Sequence, residues 1–252
     1  MVTTRVIGAG RAGRSLAGAL ADAGCPVLDV LGRGDDPSAA AEGVDVLVIA
    51  TPDAVVAELA AAVRPVADTV VAHLSGALGL EVLAPHARRG SLHPLVPLPS
   101  PEVGRRRLRS GVPFALAGDA ALAELVTALG GTALRVEDDR RVAYHAAACI
   151  AANHVVALLG QAERVAALAG LPLDAFLGLT RAALDDVESL GAHAALTGPA
   201  ARGDDATVAR HRALLAAEAQ AELAGYDAGV ALARRLAGAP QTGAREALSS
   251  CA

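Results

Sequence analysis

"RVIGAGRAGRSLAGALADAG", residues 5–24, decides the fold. Its opening is a short β-branched run that ends in glycines. Residues 12–24 then read as a helix, with Leu16 and Leu20 at i, i+4 spacing and Gly24 at the end. Between them, "GAGRAG" from Gly8 to Gly13 fits the pattern G-x-G-x-x-G. Alone that pattern is weak; following a strand and opening the helix of a βαβ unit, it is informative. Gly8 would permit the tight turn, Gly10 would let a pyrophosphate approach the backbone, and Gly13 would let helix pack on strand. A helix N-terminus supplies free N–H groups and partial positive charge to phosphates. The loop Gly8, Ala9, Gly10, Arg11, Ala12 and Gly13 is therefore expected to bind a dinucleotide.

Outward from this unit the alternation continues. Strands are expected at 26–32, 44–51 and 68–76, with a helix at 53–63. Weaker strands are expected at 90–93, 112–117 and 132–137, with a helix over 119–131. Strands spaced by helices of this length imply a parallel sheet. From about residue 140 the pattern becomes helical: 140–170, 173–190, 207–224 and 226–237. The fold expected is α/β, an N-terminal Rossmann-type parallel sheet domain over 1–139 followed by an all-α domain over 140–252. Residues 140–170 are apolar nearly all round, which predicts burial at a domain centre or in a subunit interface. The last fourteen residues, "APQTGAREALSSCA", read as a frayed tail.

Composition narrows the chemistry. The 252 residues are 53% hydrophobic and only 2% aromatic, without Trp, so the core must be built from Ala, Leu and Val. All 22 residues counted as Lys or Arg are Arg, which excludes a catalytic lysine. A net charge of −5 argues against a nucleic-acid partner. No unbroken run of eighteen apolar residues is present, and "TRVIGAG" enters a strand directly, so a cytoplasmic protein with no membrane partner is expected. Three scattered cysteines, Cys25, Cys149 and Cys251, predict reduced thiols. His86, His154, His193 and His211 show no ligand spacing, so no metal is expected.

An NAD site usually carries Asp or Glu at the end of the second strand. Here that terminus reads "LGRGDD", with Arg33 placed to pair with a 2′-phosphate. NADP (NADPH) is the expected cofactor, and an ion pair of Arg33 with Asp35 or Asp36 is the plain alternative. Ligands of open α/β sheets sit beyond the carboxyl ends of the strands. Three polar clusters fall at such ends: Thr51-Pro52-Asp53, His73-Leu74-Ser75-Gly76 and His93-Pro94. Thr51, Pro52 and Ser75 are expected beside the cofactor. His93 is expected to exchange a proton as hydride moves, with Ser75 orienting its ring. His73, deeper in its strand, reads as structural, and "RRRLR" (105–109) as a solvated loop.

The motifs "HLSGALG", "GSLHPLVPLP", "AYHAAACIAANHVVALLGQAERVAALAG" and "ALTGPAARGD", in this order, resemble a family that pairs a Rossmann-like domain with a helical domain similar to that of 6-phosphogluconate dehydrogenase. Some of its members are regarded as alternative ketopantoate reductases. The resemblance implies NADPH-dependent reduction of a small 2-oxo acid, ketopantoate to pantoate, in coenzyme A synthesis. "SLHPL" also resembles the motif of prephenate dehydrogenases, which implies His93 as acid/base with Ser75 as its partner. In β-hydroxyacid dehydrogenases a lysine precedes an Asn on the first interdomain helix; aligned on Asn153, this chain has Cys149 or Ile150 there. His145 and Asn153, eight residues apart, share a helix face and are further catalytic candidates. Thr197, the Gly198 backbone and Arg202 are candidates for gripping a substrate carboxylate, against an Arg202–Asp204 ion pair or a helix cap. The helical half is expected to form a homodimer. A prephenate- or arogenate-type dehydrogenase and a non-enzymatic NADP-binding sensor stand as rivals.

Overall fold

The computed structural model describes residues 1–238, so the tail expected over 239–252, with Cys251, lies outside the described residues. The first strand and helix form where the sequence places them, as β1 (Thr4–Ile7) and α1 (Arg11–Asp22). There follow β2 (Val27–Leu31), β3 (Val46–Ile49), α2 (Val56–Ala62), β4 (Val70–His73) and β5 (Arg89–Pro94). The remainder of the sheet domain is α3 (Pro101–Leu108), β6 (Pro113–Gly118), α4 (Leu122–Ala128) and β7 (Thr132–Arg135). The seven strands form one sheet in the order β2-β1-β3-β4-β5-β6-β7. β1 pairs with both β2 and β3, so the order reverses beyond Ile7 and Ile49, the place where open α/β sheets bind their ligands.

Two expectations are corrected. The sheet is not wholly parallel: β6 runs antiparallel to β5, and β7 runs parallel to β6. The chain leaves β5 and enters β6 at the same end of the sheet, where the Leu95 N–H donates to the Pro113 carbonyl at 2.9 Å. Nor is 105–109 a solvated loop. The Ser100 hydroxyl caps α3 by accepting from the Val103 N–H, and Pro101 occupies its first turn. Arg105 forms a fork with Asp22 of α1, and Arg107 donates to the Pro97 carbonyl at 2.8 Å. A Cβ on Gly18 would lie 2.9 Å from the Arg105 side chain, so small residues let these helices approach.

The core forms two layers. Leu16, Leu20, Val48, Ala72, Leu92, Leu108, Phe114 and Leu125 fill one face of the sheet; Ile7, Leu47, Ile49, Val56, Val71 and Leu83 fill the other. β3 and β4 are buried on both faces, which is why they read as continuous apolar runs.

The long helical stretch begins as α5 (Arg141–Cys149), passes through a π turn over Ile150–His154 and continues as α6 (Val155–Leu168). The chain divides into a unit Met1–Asn153 and a second unit beginning at His154. Residues 141–153 thus belong with the sheet, beyond the expected boundary at 139/140. The second unit contains α6, α7 (Asp174–Leu190), α8 (Ala192–Ala195), α9 (Pro199–Arg202), α10 (Asp205–Glu218) and α11 (Gln220–Gly238). The break between the last two falls at Ala219 rather than near 225. Burial of the long helix inside the chain is not observed: Ile150, Val156 and Leu158 are each more than half exposed. The 31-residue stretch Asp138–Leu168 is long and apolar enough to cross a membrane by length and composition, although polar residues interrupt its apolar runs.

Gly8 and Gly13 are fixed by space. Gly8 has φ +120°, and a Cβ there would stand 2.5 Å from the Ala50 carbonyl oxygen; a Cβ on Gly13 would overlap the Gly8 carbonyl oxygen. Gly13→Ala is therefore expected to destabilise by about 1–3 kcal/mol, seen as a thermal midpoint lowered by roughly 2–10 °C. An unchanged midpoint would show that the turn can relax.

Candidate active site

At the carboxyl ends of β1 and β3 the chain leaves a backbone cradle. Gly10 is the N-cap of α1; no side chain caps the helix and its first turn carries no acidic residue. The N–H groups that begin any helix lack intrahelical acceptors. Nothing lies within 4 Å of where a Gly10 Cβ would stand, so the space above this backbone is open. Arg14 Nε donates to the Ala9 carbonyl at 2.8 Å and braces the loop from below. Beside it, the buried Thr51 hydroxyl oxygen has no partner among the described residues. An open glycine, an uncapped helix and an orphaned hydroxyl suit a phosphate-bearing ligand. Ala9 and Ala12 are half-buried in this turn, whereas Arg11 and Pro52 are exposed beside it.

Arg33 stands two residues beyond β2, exposed, with no ion pair among the described residues. Asp35 instead accepts from the Gly32 N–H at 2.7 Å, Asp36 is engaged by Ser38, and Asp29 pairs with Arg5. The plain alternative for Arg33 is thus absent, and no carboxylate ends the second strand.

The second cluster is built by the loop after β4. Ser75 donates to Asp53 Oδ2 at 2.8 Å and accepts from the N–H groups of Ala77 and Leu78. Its hydroxyl is fully engaged in shaping the loop, so it does not orient His93 as expected. That partner is Tyr144: its hydroxyl lies 2.6 Å from His93 Nδ1, with the rings edge to face. His145, the next residue along α5, packs edge to face on the other side of His93 at 6.0 Å between ring centres. Gly76 fits between the two imidazoles; a Cβ there would lie 2.6 Å from His145 Cδ2 and 3.0 Å from His93 Nε2.

Arg141 holds this arrangement. It is fully buried, and it donates through Nε to the Leu78 carbonyl at 2.6 Å and through Nη2 to the Ser75 carbonyl. Its Nη1 has no partner among the described residues. Burial lowers the basicity of this guanidinium, and Asp138, Tyr144 and Asp53 oppose that effect. Asp138 accepts the Leu80 N–H, closing the loop from its far side.

His93 is not poised near neutrality. Burial, then the neighbouring His145 and Arg141, push its pKa down to about 4, against a smaller opposing pull from Asp53. The ring is neutral at pH 7 and cannot serve as a cationic acid. His73 is fully buried and likewise pushed down, chiefly by burial; its Nε2 lies 3.3 Å from the Gly79 carbonyl, in keeping with a structural role.

On α5 and the π turn, His145, Cys149 and Asn153 form one row: Cys149 Sγ lies 3.8 Å from His145 Nε2 and 4.0 Å from Asn153 Nδ2. The shared face expected for His145 and Asn153 exists, with Cys149 between them. Thr197, Gly198 and Arg202 lie in the second unit, on and beside the short α9. Asp204 caps α10 by accepting the Thr207 N–H at 3.0 Å, and Arg202 is exposed without an ion pair among the described residues. Sequence reading missed Arg141 and Tyr144. Nothing in the sequence separates the exposed Arg140 from the buried Arg141; Tyr144 offered a signal in being one of two tyrosines in the chain.

Residues 35–99 match the model of a Rossmann-like domain, and residues 113–231 that of a domain of unknown function, DUF2520. No curated protein matches the chain. Among solved structures, a candidate NADP oxidoreductase from Bacteroides fragilis shares 19% identity, covering 93% of this chain and 98% of its own, with a TM-score of 0.75. A protein from Thermotoga maritima shares 22% identity over 93% and 98%, with a TM-score of 0.71. A reductive aminase from Aspergillus terreus, solved with NADPH and ethyl levulinate, shares 19% identity over 77% and 76%, with a TM-score of 0.61. At these identities the likeness shows the fold, a Rossmann-like domain followed by helices.

The depressed histidine has a consequence for stability. Between pH 6.5 and about 4 the unfolded chain protonates His93 while the folded chain does not, so stability falls on acidification through that window. His93 alone is expected to cost on the order of 2–3 kcal/mol between pH 7 and 4.5. Urea unfolding across that range should therefore show a shallower pH slope for His93→Gln than for the wild type; equal slopes would overturn the assignment.

Proposed function

We propose that the protein is an NADPH-dependent reductase of a small 2-oxo acid, with ketopantoate first among substrates. The observation that carries this reading is the placement, along the carboxyl edge of one run of parallel strands, of an open glycine cradle after β1 and a histidine–tyrosine pair at the end of β5. Solved structures of similar fold include a reductive aminase with NADPH bound, which supports the same cofactor here. The Gly8–Gly13 loop would hold the pyrophosphate on the α1 N-terminus, and Arg33 would meet a 2′-phosphate with a charge-assisted fork. Thr51 and Pro52 would flank the nicotinamide.

A bound nicotinamide supplies hydride to a carbonyl carbon. The protein's own part is to place and protonate the carbonyl oxygen, and the His93 side of the loop, with His145 and Asn153 along the helix row, offers the groups for it. Arg202, with Thr197 and the Gly198 backbone, is our candidate for the substrate carboxylate. A second copy of the chain is proposed to cover the exposed apolar side chains of α6 and α7, among them Val156, Leu158, Leu179 and Leu184, in place of a lipid environment. The buried Arg141 at the start of this stretch would be costly in lipid. Arg33 without a carboxylate neighbour weighs against an NAD-linked prephenate-type dehydrogenase.

Fluorescence titration should show tighter binding of NADPH than NADH. Arg33→Ser should weaken NADPH about ten- to a hundredfold and leave NADH unchanged, while Gly10→Val should weaken both without lowering the thermal midpoint. Oxidation of NADPH, followed at 340 nm with ketopantoate, pyruvate and 2-oxoisovalerate in parallel, tests the substrate. Silence with every oxo acid alongside tight NADPH binding would remove the 2-oxo-acid reading.

A further inference from the structure

We propose that the proton completing carbonyl reduction originates on Tyr144 and passes through His93, whose two ring nitrogens act as its entry and exit. The inference rests on the reductase reading above and deepens it at one step. β5 brings His93 to the carboxyl end of the sheet, and α5 brings Tyr144 there one turn after the buried Arg141. The Tyr144 hydroxyl occupies Nδ1 at 2.6 Å. Nε2 makes no hydrogen bond with the described residues and faces Gly76, where a Cβ would stand 3.0 Å from it. One nitrogen therefore meets a donor, and the other is left without a partner beside a residue that has no side chain to cover it.

The groups facing His93 keep the ring uncharged. Tyr144, His145 and Arg141 face it from α5, His73 from β4, and Asp53 from the turn after β3. Among the charged neighbours only Asp53 favours an imidazolium, and its carboxylate already accepts the Ser75 hydroxyl. Burial pushes the Tyr144 phenol up, so it too is protonated at neutral pH. A neutral ring whose Nδ1 accepts a phenol O–H carries its own proton on Nε2.

The step balances without a cationic histidine. As hydride forms the new C–H bond, the C=O π pair moves to oxygen, and that oxygen takes the Nε2 proton. The Tyr144 O–H bond breaks, an N–H bond forms at Nδ1, and a tyrosinate remains. Arg141, whose positive charge favours the ionised phenol, faces it. Return of the Nδ1 proton to the phenolate and uptake of one proton from water at Nε2 restore the pair. Net consumption is one proton from solvent per carbonyl reduced.

The tautomer can be read without turnover. The full chain, labelled with 15N-histidine, is titrated from pH 5 to 9, with His93 assigned through His93→Gln and the exposed His211–Tyr226 pair, 2.8 Å apart, as a reference. The expected result is a neutral His93 protonated on Nε2 throughout, with its Nδ1 resonance displaced in Tyr144→Phe. With ketopantoate and NADPH, Tyr144→Phe should lose about 10²–10³-fold in kcat with its NADPH Kd unchanged, and wild-type kcat should be flat from pH 6 to 8. A ring protonated on Nδ1, an imidazolium at pH 7, or full kcat in Tyr144→Phe would each overturn the relay, even where NADPH binds. Failure to bind NADPH would instead overturn the reductase reading and leave the nitrogen shifts to judge the pair alone.

Discussion

A guanidinium held by backbone carbonyls, with no carboxylate among its hydrogen-bond partners in the described residues, organises the candidate site. Arg141 is fully buried and spends two of its nitrogens on backbone carbonyls, those of Ser75 and Leu78. Burying a charge is costly unless strong hydrogen bonds offset it. Carbonyl oxygens of a loop left irregular after β4 supply those bonds, and the loop in turn gains donors it would otherwise lack. Helix and loop are thereby fixed to each other. Because α5 starts at Arg141, Tyr144 and His145 project from the same region one turn later and meet His93. The site is assembled from one strand end, one loop and one helix start, with Gly76 set against both imidazoles where no side chain would fit.

The first βαβ unit was legible because its constraint is steric and local. Gly8 must turn at positive φ, Gly13 must admit a neighbouring carbonyl, and both demands are written as glycine at fixed spacing. The apolar strands β3 and β4 were legible for a similar reason, since burial on both faces removes polar positions from the run. The antiparallel β6 was not. Strand direction depends on which end of the sheet the connection returns to, and α3, which makes that return beside α1, hid inside a run of arginines. Arg105 is matched by Asp22 of α1, far away in sequence, and Arg107 by the Pro97 carbonyl before the helix, so no pattern within the run revealed them.

The histidine shows how a correct residue can carry an incorrect rationale. His93 was singled out from its place before a proline at a strand end, and it does stand at the centre of the cluster. Its expected partner, Ser75, stands two and three residues ahead of N–H groups that it accepts from, and so closes its own turn first. The tyrosine that takes its place is 51 residues away in sequence. The near-neutral pKa of a free imidazole does not carry over to His93, where burial dominates and His145 and Arg141 add to it.

A chain without lysine and nearly without aromatics has few ways to deliver a proton inside an apolar site. Arginine stays charged and does not give up its proton at neutral pH. Carboxylates near the crevice are tied: Asp53 to Ser75, Asp138 to the Leu80 N–H. At His93 the groups in contact are imidazole and phenol, and the same burial that keeps His93 neutral keeps Tyr144 protonated. Two neutral groups in series move a proton without ever placing a cation beside Arg141. Burial, which would disable a histidine acting alone as a cationic acid, is the condition under which this pair works.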